Sequence, residues 1–148
     1  RALTRRRNER VEIAGVAAGS PGQVEFVVAG ELSTAVDMLT ADMHERTRGK
    51  AMADSGTIRV KRVPLDELLV EHFPDQTTLG FLSVDVEGAE RDVLASVDWA
   101  RWTFRAIAVE HNHRRAFESE CDQEMAARGY RRVLAGLSAW DGWYVPAA

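Results

Sequence analysis

Apolar side chains follow two rhythms along this chain, a period of two and a period of three to four, and each marks a different kind of element. Val11–Val16 is the first strand-like run, ending in the small residues Ala17, Ala18 and Gly19. Ser20-Pro21-Gly22 then reads as a turn, because proline presets φ and glycine tolerates a positive one. Gln23–Ala29 reads as a second strand, so the two runs make a short hairpin or one strand with an extension. Residues 31–56 keep no period and carry several charges with Gly49, Asp54, Ser55 and Gly56. They predict a partly helical, mobile insertion of the lid-forming kind.

Beyond residue 56 the rhythm sharpens. Thr57–Val63 alternates Ile58, Val60 and Val63 with Arg59, Lys61 and Arg62, as an edge or half-exposed strand would. Pro64 stands where a helix can begin, and Leu65, Leu68, Leu69 and His72 share one helical face. Leu79–Val84 predicts a buried strand, Asp85-Val86-Glu87-Gly88 a turn, and Ala89–Val97 a helix burying Ala89, Val93, Leu94 and Val97. Phe104–Val109 is a second buried-type strand. Arg114–Arg128 is a helix with an apolar stripe of Phe117, Cys121 and Met125, closed by Gly129. Tyr130–Leu134 and Trp143–Val145 end the pattern as two strands too close for a helix between them, hence antiparallel. Strand, helix, strand, helix at this spacing predicts an α/β domain with a mostly parallel sheet covered on both faces.

Composition narrows the class. One domain accounts for 148 residues, and 45% hydrophobic with 28% charged residues is the balance of a globular protein. A net charge of −4 argues against non-specific nucleic-acid binding. The arginine-rich stretch Arg1–Arg10 has only Ala2 and Leu3 as apolar residues and reads as a solvated helix end. The single cysteine, Cys121, excludes an internal disulfide and fits a cytoplasmic setting. No apolar run reaches the roughly 18 residues of a membrane span, so no membrane partner is expected. Oligomeric state stays open between a monomer and a homo-oligomer.

Ligands of open α/β sheets sit beyond the carboxyl ends of the strands. Two acidic clusters fall there: Asp85, Glu87 and Glu90 around Gly88, and Glu110 before His111-Asn112-His113. If the two strands are neighbours, Asp85, Glu87, Glu110 and His111 converge on one cleft. Carboxylates so placed can take a proton from a hydroxyl nucleophile, orient a cationic ligand, or hold a divalent ion. Glu90 has a plainer explanation, since acids in a first helical turn are favoured by the helix dipole. Asp85 and Glu87 bracket a turn that ends in glycine, which is more than capping needs. His111 and His113 have a loop's spacing, and with no third histidine or nearby cysteine no metal site is expected from them. Cys121 belongs to an apolar stripe and reads as core. The tryptophans read as packing and rim residues, with Trp140 and Trp143 also placed to wall a cleft.

These words and their order resemble one family. Val63-Pro64-Leu65-Asp66-Glu67-Leu68-Leu69, then Phe81-Leu82-Ser83-Val84-Asp85-Val86-Glu87-Gly88-Ala89-Glu90 with Val93-Leu94, then Ala108-Val109-Glu110, resemble the signature of FkbM-type methyltransferases. Asn8–Ala18 resembles that family's third strand, and Gly129-Tyr130 with Trp143-Tyr144-Val145 its closing hairpin; only residues 31–56 fall outside the likeness. The resemblance implies a class I, Rossmann-like methyltransferase sheet ending in an antiparallel hairpin. It also implies methyl transfer from S-adenosylmethionine to a hydroxyl of a sugar or natural product. By position, Asp85 would line the cofactor and acceptor pocket, Glu87 and Glu110 would face the same cleft, and Ala17 and Ala18 would lie near the adenine. The family's glycine-rich turn and the acid that holds the ribose are absent from this sequence. The expectation is therefore a single partial domain over residues 1–148, with the N-terminal strands missing. A non-catalytic binding or assembly module is the alternative, favoured by an open sheet edge. A dinucleotide-dependent oxidoreductase would share the sheet type, but the Asp-Val-Glu-Gly stretch weighs against it.

Overall fold

The computed structural model describes residues 15–16, 21–27, 34–35, 57–86, 88–111 and 113–147. In chain order these form β1 (Gly15–Val16), β2 (Gly22–Val27), β3 (Thr34–Ala35), β4 (Thr57–Val63), α1 (Leu65–His72), β5 (Thr78–Val84), α2 (Glu90–Ala95), β6 (Thr103–Glu110), α3 (Arg115–Ala127), β7 (Tyr130–Val133) and β8 (Asp141–Pro146). The expected insertion over residues 31–56 and the arginine-rich residues 1–10 lie, but for β3, outside the described residues.

The strands form two sheets, ordered β1-β4-β2-β3 and β5-β6-β8-β7. In the first, β4 runs parallel to β1 and antiparallel to β2. The expected hairpin of the first two strands is therefore not formed, because β4 lies between them. The same placement overturns the edge reading of Thr57–Val63. Its half-exposed character survives, with Ile58 46% exposed and Val63 3%.

The second sheet pairs β5 with β6 in parallel, then β6 with β8 and β8 with β7 antiparallel. The closing hairpin is as expected, with β8 placed between β6 and β7. The expectation of a mostly parallel sheet needs correction, since both sheets are mixed among the described residues. Local chemistry explains the helices. Pro64 precedes α1 without needing an N–H of its own there. At the end of α3, Gly129 adopts φ 82 while its N–H donates to the Ala126 carbonyl, the left-handed stop that glycine tolerates. α2 is shorter than its apolar pattern: Val97 is buried but lies in the turn after it, where the Ser96 hydroxyl donates to the Val93 carbonyl at 2.7 Å.

Leu69, Val93, Leu94, Phe117, Cys121 and Met125 from the three helices pack with Val84, Ile107, Val109 and Tyr144 of the second sheet. Strand alternation then sends Phe81, Ala106, Ala108 and Trp143 to the other face. There Phe81 and Trp143 lean over the small side chains of the strand between them and stack at 5.7 Å and 14°. Phe81 remains 52% exposed. Two expectations change together: the sheet is covered on one face by the described helices, and β5 is not buried but carries exposed positions along most of its length. The physical reason is its place at the end of the strand order, with one paired edge among the described residues.

Candidate functional site

The register of the second sheet builds the site. Val84 pairs with Val109 and Val109 with Gly142, so the next row holds Asp85, Glu110 and Asp141, with Glu110 directly opposite Asp141. Asp85 is exposed and Glu110 and Asp141 are half-buried. The structure thus brings Asp85 and Glu110 to one end of adjacent parallel strands, as expected, and adds Asp141. Like charges directly opposite on neighbouring strands repel. The row therefore favours a cationic group beside it. Asp141 escaped sequence reading because its place depends on the length of the β7–β8 connection, which sets the register.

The turn after β5 and the loop after β6 are tied by a buried carboxylate. Glu90 is 1% exposed; one oxygen accepts the Gly88 N–H at 2.8 Å, and the other accepts from the Arg114 guanidinium at 3.1 Å. Gly88 has φ 115, a conformation that side chains rarely adopt. The first-turn reading of Glu90 holds in that it satisfies an N–H at the helix start. Its pairing with Arg114, 24 residues away in sequence, goes further and fixes the spacing of the two loops.

His111 is 4% exposed, and neither ring nitrogen has a hydrogen-bond partner among the described residues. Its backbone N–H donates to the Trp140 carbonyl at 2.8 Å, and Nε2 lies 4.0 Å from a Glu118 oxygen. It is therefore buried against α3. Glu118 and Asp122 both bind Arg132 on β7, at 2.7 and 2.9 Å. Burial works against the charged guanidinium, but these two carboxylates outweigh it and raise its pKa. Asp122 also accepts the Tyr144 hydroxyl at 2.8 Å. Cys121 sits beside that hydroxyl, its thiol pushed up by burial, which makes it a protonated core residue.

Glu87, Ala17 and Ala18 lie outside the described residues. Among the described residues no group of three or more His, Cys, Asp or Glu side chains is arranged to hold a metal ion. No helix there is long and apolar enough to cross a membrane. In comparison with known proteins, the profile described as the methyltransferase FkbM domain matches residues 3–132. No curated protein and no solved structure matches the chain.

Proposed function

This chain belongs to the methyltransferase FkbM domain family, and from that premise we propose that it works as an S-adenosylmethionine-dependent O-methyltransferase on a hydroxyl of a small-molecule sugar or natural product. The observation that carries the reading is the carboxylate row Asp85, Glu110 and Asp141 at the end of the parallel pair. Two acids held face to face suit a cationic ligand, and a sulfonium methyl donor is one. Bound there, S-adenosylmethionine would supply an electrophilic methyl group. Asp85, the exposed member, is the group that would accept the hydroxyl proton or orient the donor, and Glu110 and Asp141 would hold the negative field that favours a cation. Glu87 would face the same ligand, and Ala17 and Ala18 would lie on its adenine side; these three roles rest on the resemblance of the sequence alone. The protein's share of such a displacement is orientation and electrostatics. Class I, Rossmann-like architecture and a cytoplasmic setting complete the proposal; the architecture calls for a further strand on the outer edge of β5, where none pairs among the described residues.

The test is calorimetric titration of S-adenosylmethionine and S-adenosylhomocysteine into a chain that carries the further strand beside β5 together with these 148 residues. The expected result is saturable binding that Asp85→Ala weakens about tenfold, the loss of one charge-assisted contact. Unchanged affinity in that variant would remove Asp85 from the site. No binding at all would turn the assignment to the second reading, a non-catalytic assembly module, which exposed Phe81 and the edge of β5, unpaired among the described residues, favour. That reading expects homo-oligomers whose size rises with concentration.

A further inference from the structure

Among the described residues Glu90, at the first position of α2, is the one buried acid. Its two oxygens are committed to two different loops. Oε1 accepts the Gly88 N–H at 2.8 Å in the turn after β5, and Oε2 accepts from the Arg114 guanidinium at 3.1 Å in the loop after β6. The Arg114 side chain is 47% exposed, yet it is held a second time. Its Cζ lies 4.9 Å from the centre of the Phe117 ring, and the Arg114 backbone N–H donates to the His111 carbonyl at 2.9 Å. Left-handed backbone stands at both ends of the tie, Gly88 at φ 115 and His113, beside Arg114, at φ 58. A non-glycine residue keeps such a backbone where its surroundings over-determine it.

Stability alone is a poor reason to bury an acid here. Taking a carboxylate out of water is costly, and a buried ion pair replaced as a pair by uncharged side chains is often no less stable. What an uncharged pair cannot do is draw a backbone N–H of one loop and a guanidinium of another onto the two oxygens of one group. The two loops leave the carboxyl ends of a parallel pair, where ligands of such sheets bind. Asp85 stands three residues before Gly88, in the short turn that Glu90 closes. We propose that Glu90 is a positioning residue: anchored by Arg114, it fixes the turn after β5 so that Asp85 meets its ligand. Its charge serves the geometry of the turn, and Arg114 makes that geometry depend on the loop after β6. The inference rests on the methyl-transfer reading for the identity of the ligand, and on the structure for the tie.

The test is a double-mutant cycle on S-adenosylhomocysteine affinity, in the chain that carries the further strand beside β5, with urea unfolding of every variant. Glu90→Gln keeps an acceptor for the Gly88 N–H and gives up the charge that draws Arg114. It is expected to weaken binding about fivefold in the parent, the scale of one polar contact. Once Asp85→Ala is in place it should weaken binding by no more than about twofold, because a residue that acts through Asp85 then has nothing to position. Glu90→Gln with Arg114→Met removes the pair as a pair. That variant should unfold no more easily than Arg114→Met alone, yet bind about fivefold more weakly than the parent, which separates positioning from stability. The inference is overturned if Glu90→Gln leaves the affinity unchanged, if its effect is the same with and without Asp85, or if the paired variant binds like the parent. A parent that does not bind would sink methyl transfer, and the tie is then decided without ligand. In ¹⁵N spectra of the same chain, Arg114→Met should move the Asp85 and Gly88 amides on the far side of the tie. Shifts confined to residues 111–114 overturn the inference whatever the ligand is.

Discussion

Tyr144 is 1% exposed, its ring lies over Gly142, and its hydroxyl donates to Asp122. A Cβ at residue 142 would collide with that ring and hydroxyl, so glycine is what lets β8 carry a buried tyrosine. Burial raises both the Tyr144 hydroxyl and the Cys121 thiol above their ordinary values of 10.0 and 9.0. A pKa raised on folding means that the native state keeps its proton longer. The stabilisation is complete below the unfolded pKa and fades as pH climbs through the folded one. Stability should therefore hold through neutrality and fall above pH about 9, starting with the thiol. Urea midpoints read on both sides of that range should show it, and Tyr144→Phe with Cys121→Ala should flatten the alkaline fall while lowering the neutral plateau by about 1 kcal/mol or more. An unaltered alkaline fall would assign it to other groups. At this scale sequence reading placed Asp85 and Glu110 at the ends of two strands and recognised the buried stripe of α3, because type and spacing suffice for that. It missed Asp141 and the partner of Glu90, because both depend on which loops meet.

Among elements, the tie between the turn after β5 and the loop after β6 has the clearest energetic consequence. Glu90→Gln keeps an acceptor for the Gly88 N–H but loses the charge facing Arg114. Glu90→Ala loses both and leaves a buried void. We expect losses of about 1 and about 3 kcal/mol in urea unfolding, with Arg114→Met close to the smaller value because its side chain is half exposed. A loss within about 0.5 kcal/mol for Glu90→Ala would reduce the tie to an ordinary surface pair. The helices were legible because a three-to-four period with Pro64 and Gly129 at its limits defines them locally. β4 was misplaced for the opposite reason. Alternation reports how much of a strand is exposed, but its position between β1 and β2 is decided by partners distant in sequence. β5 was misjudged likewise: its apolar run is that of a strand packed on both faces, and the described helices cover one.

For the whole molecule, Phe81 measures whether the native protein has a further layer. On an open face, Phe81→Ser removes one stacked aromatic contact and should cost about 1 kcal/mol. Beneath another layer the same change would cost about 3 kcal/mol or more, as a core truncation does. Urea unfolding of the variant separates the two, and the exposure of Phe81 predicts the smaller value. A second consequence lies in the order of the sheet. β8 follows β7 in the chain, yet it sits between β6 and β7. During synthesis β7 therefore emerges with no neighbour to pair with, and β6 has only β5. Both wait, together with Asp141, the third carboxylate of the row, until β8 has cleared the ribosome. Closure of this sheet and completion of its acidic end are one late event, and a nascent chain stalled before residue 141 would hold neither.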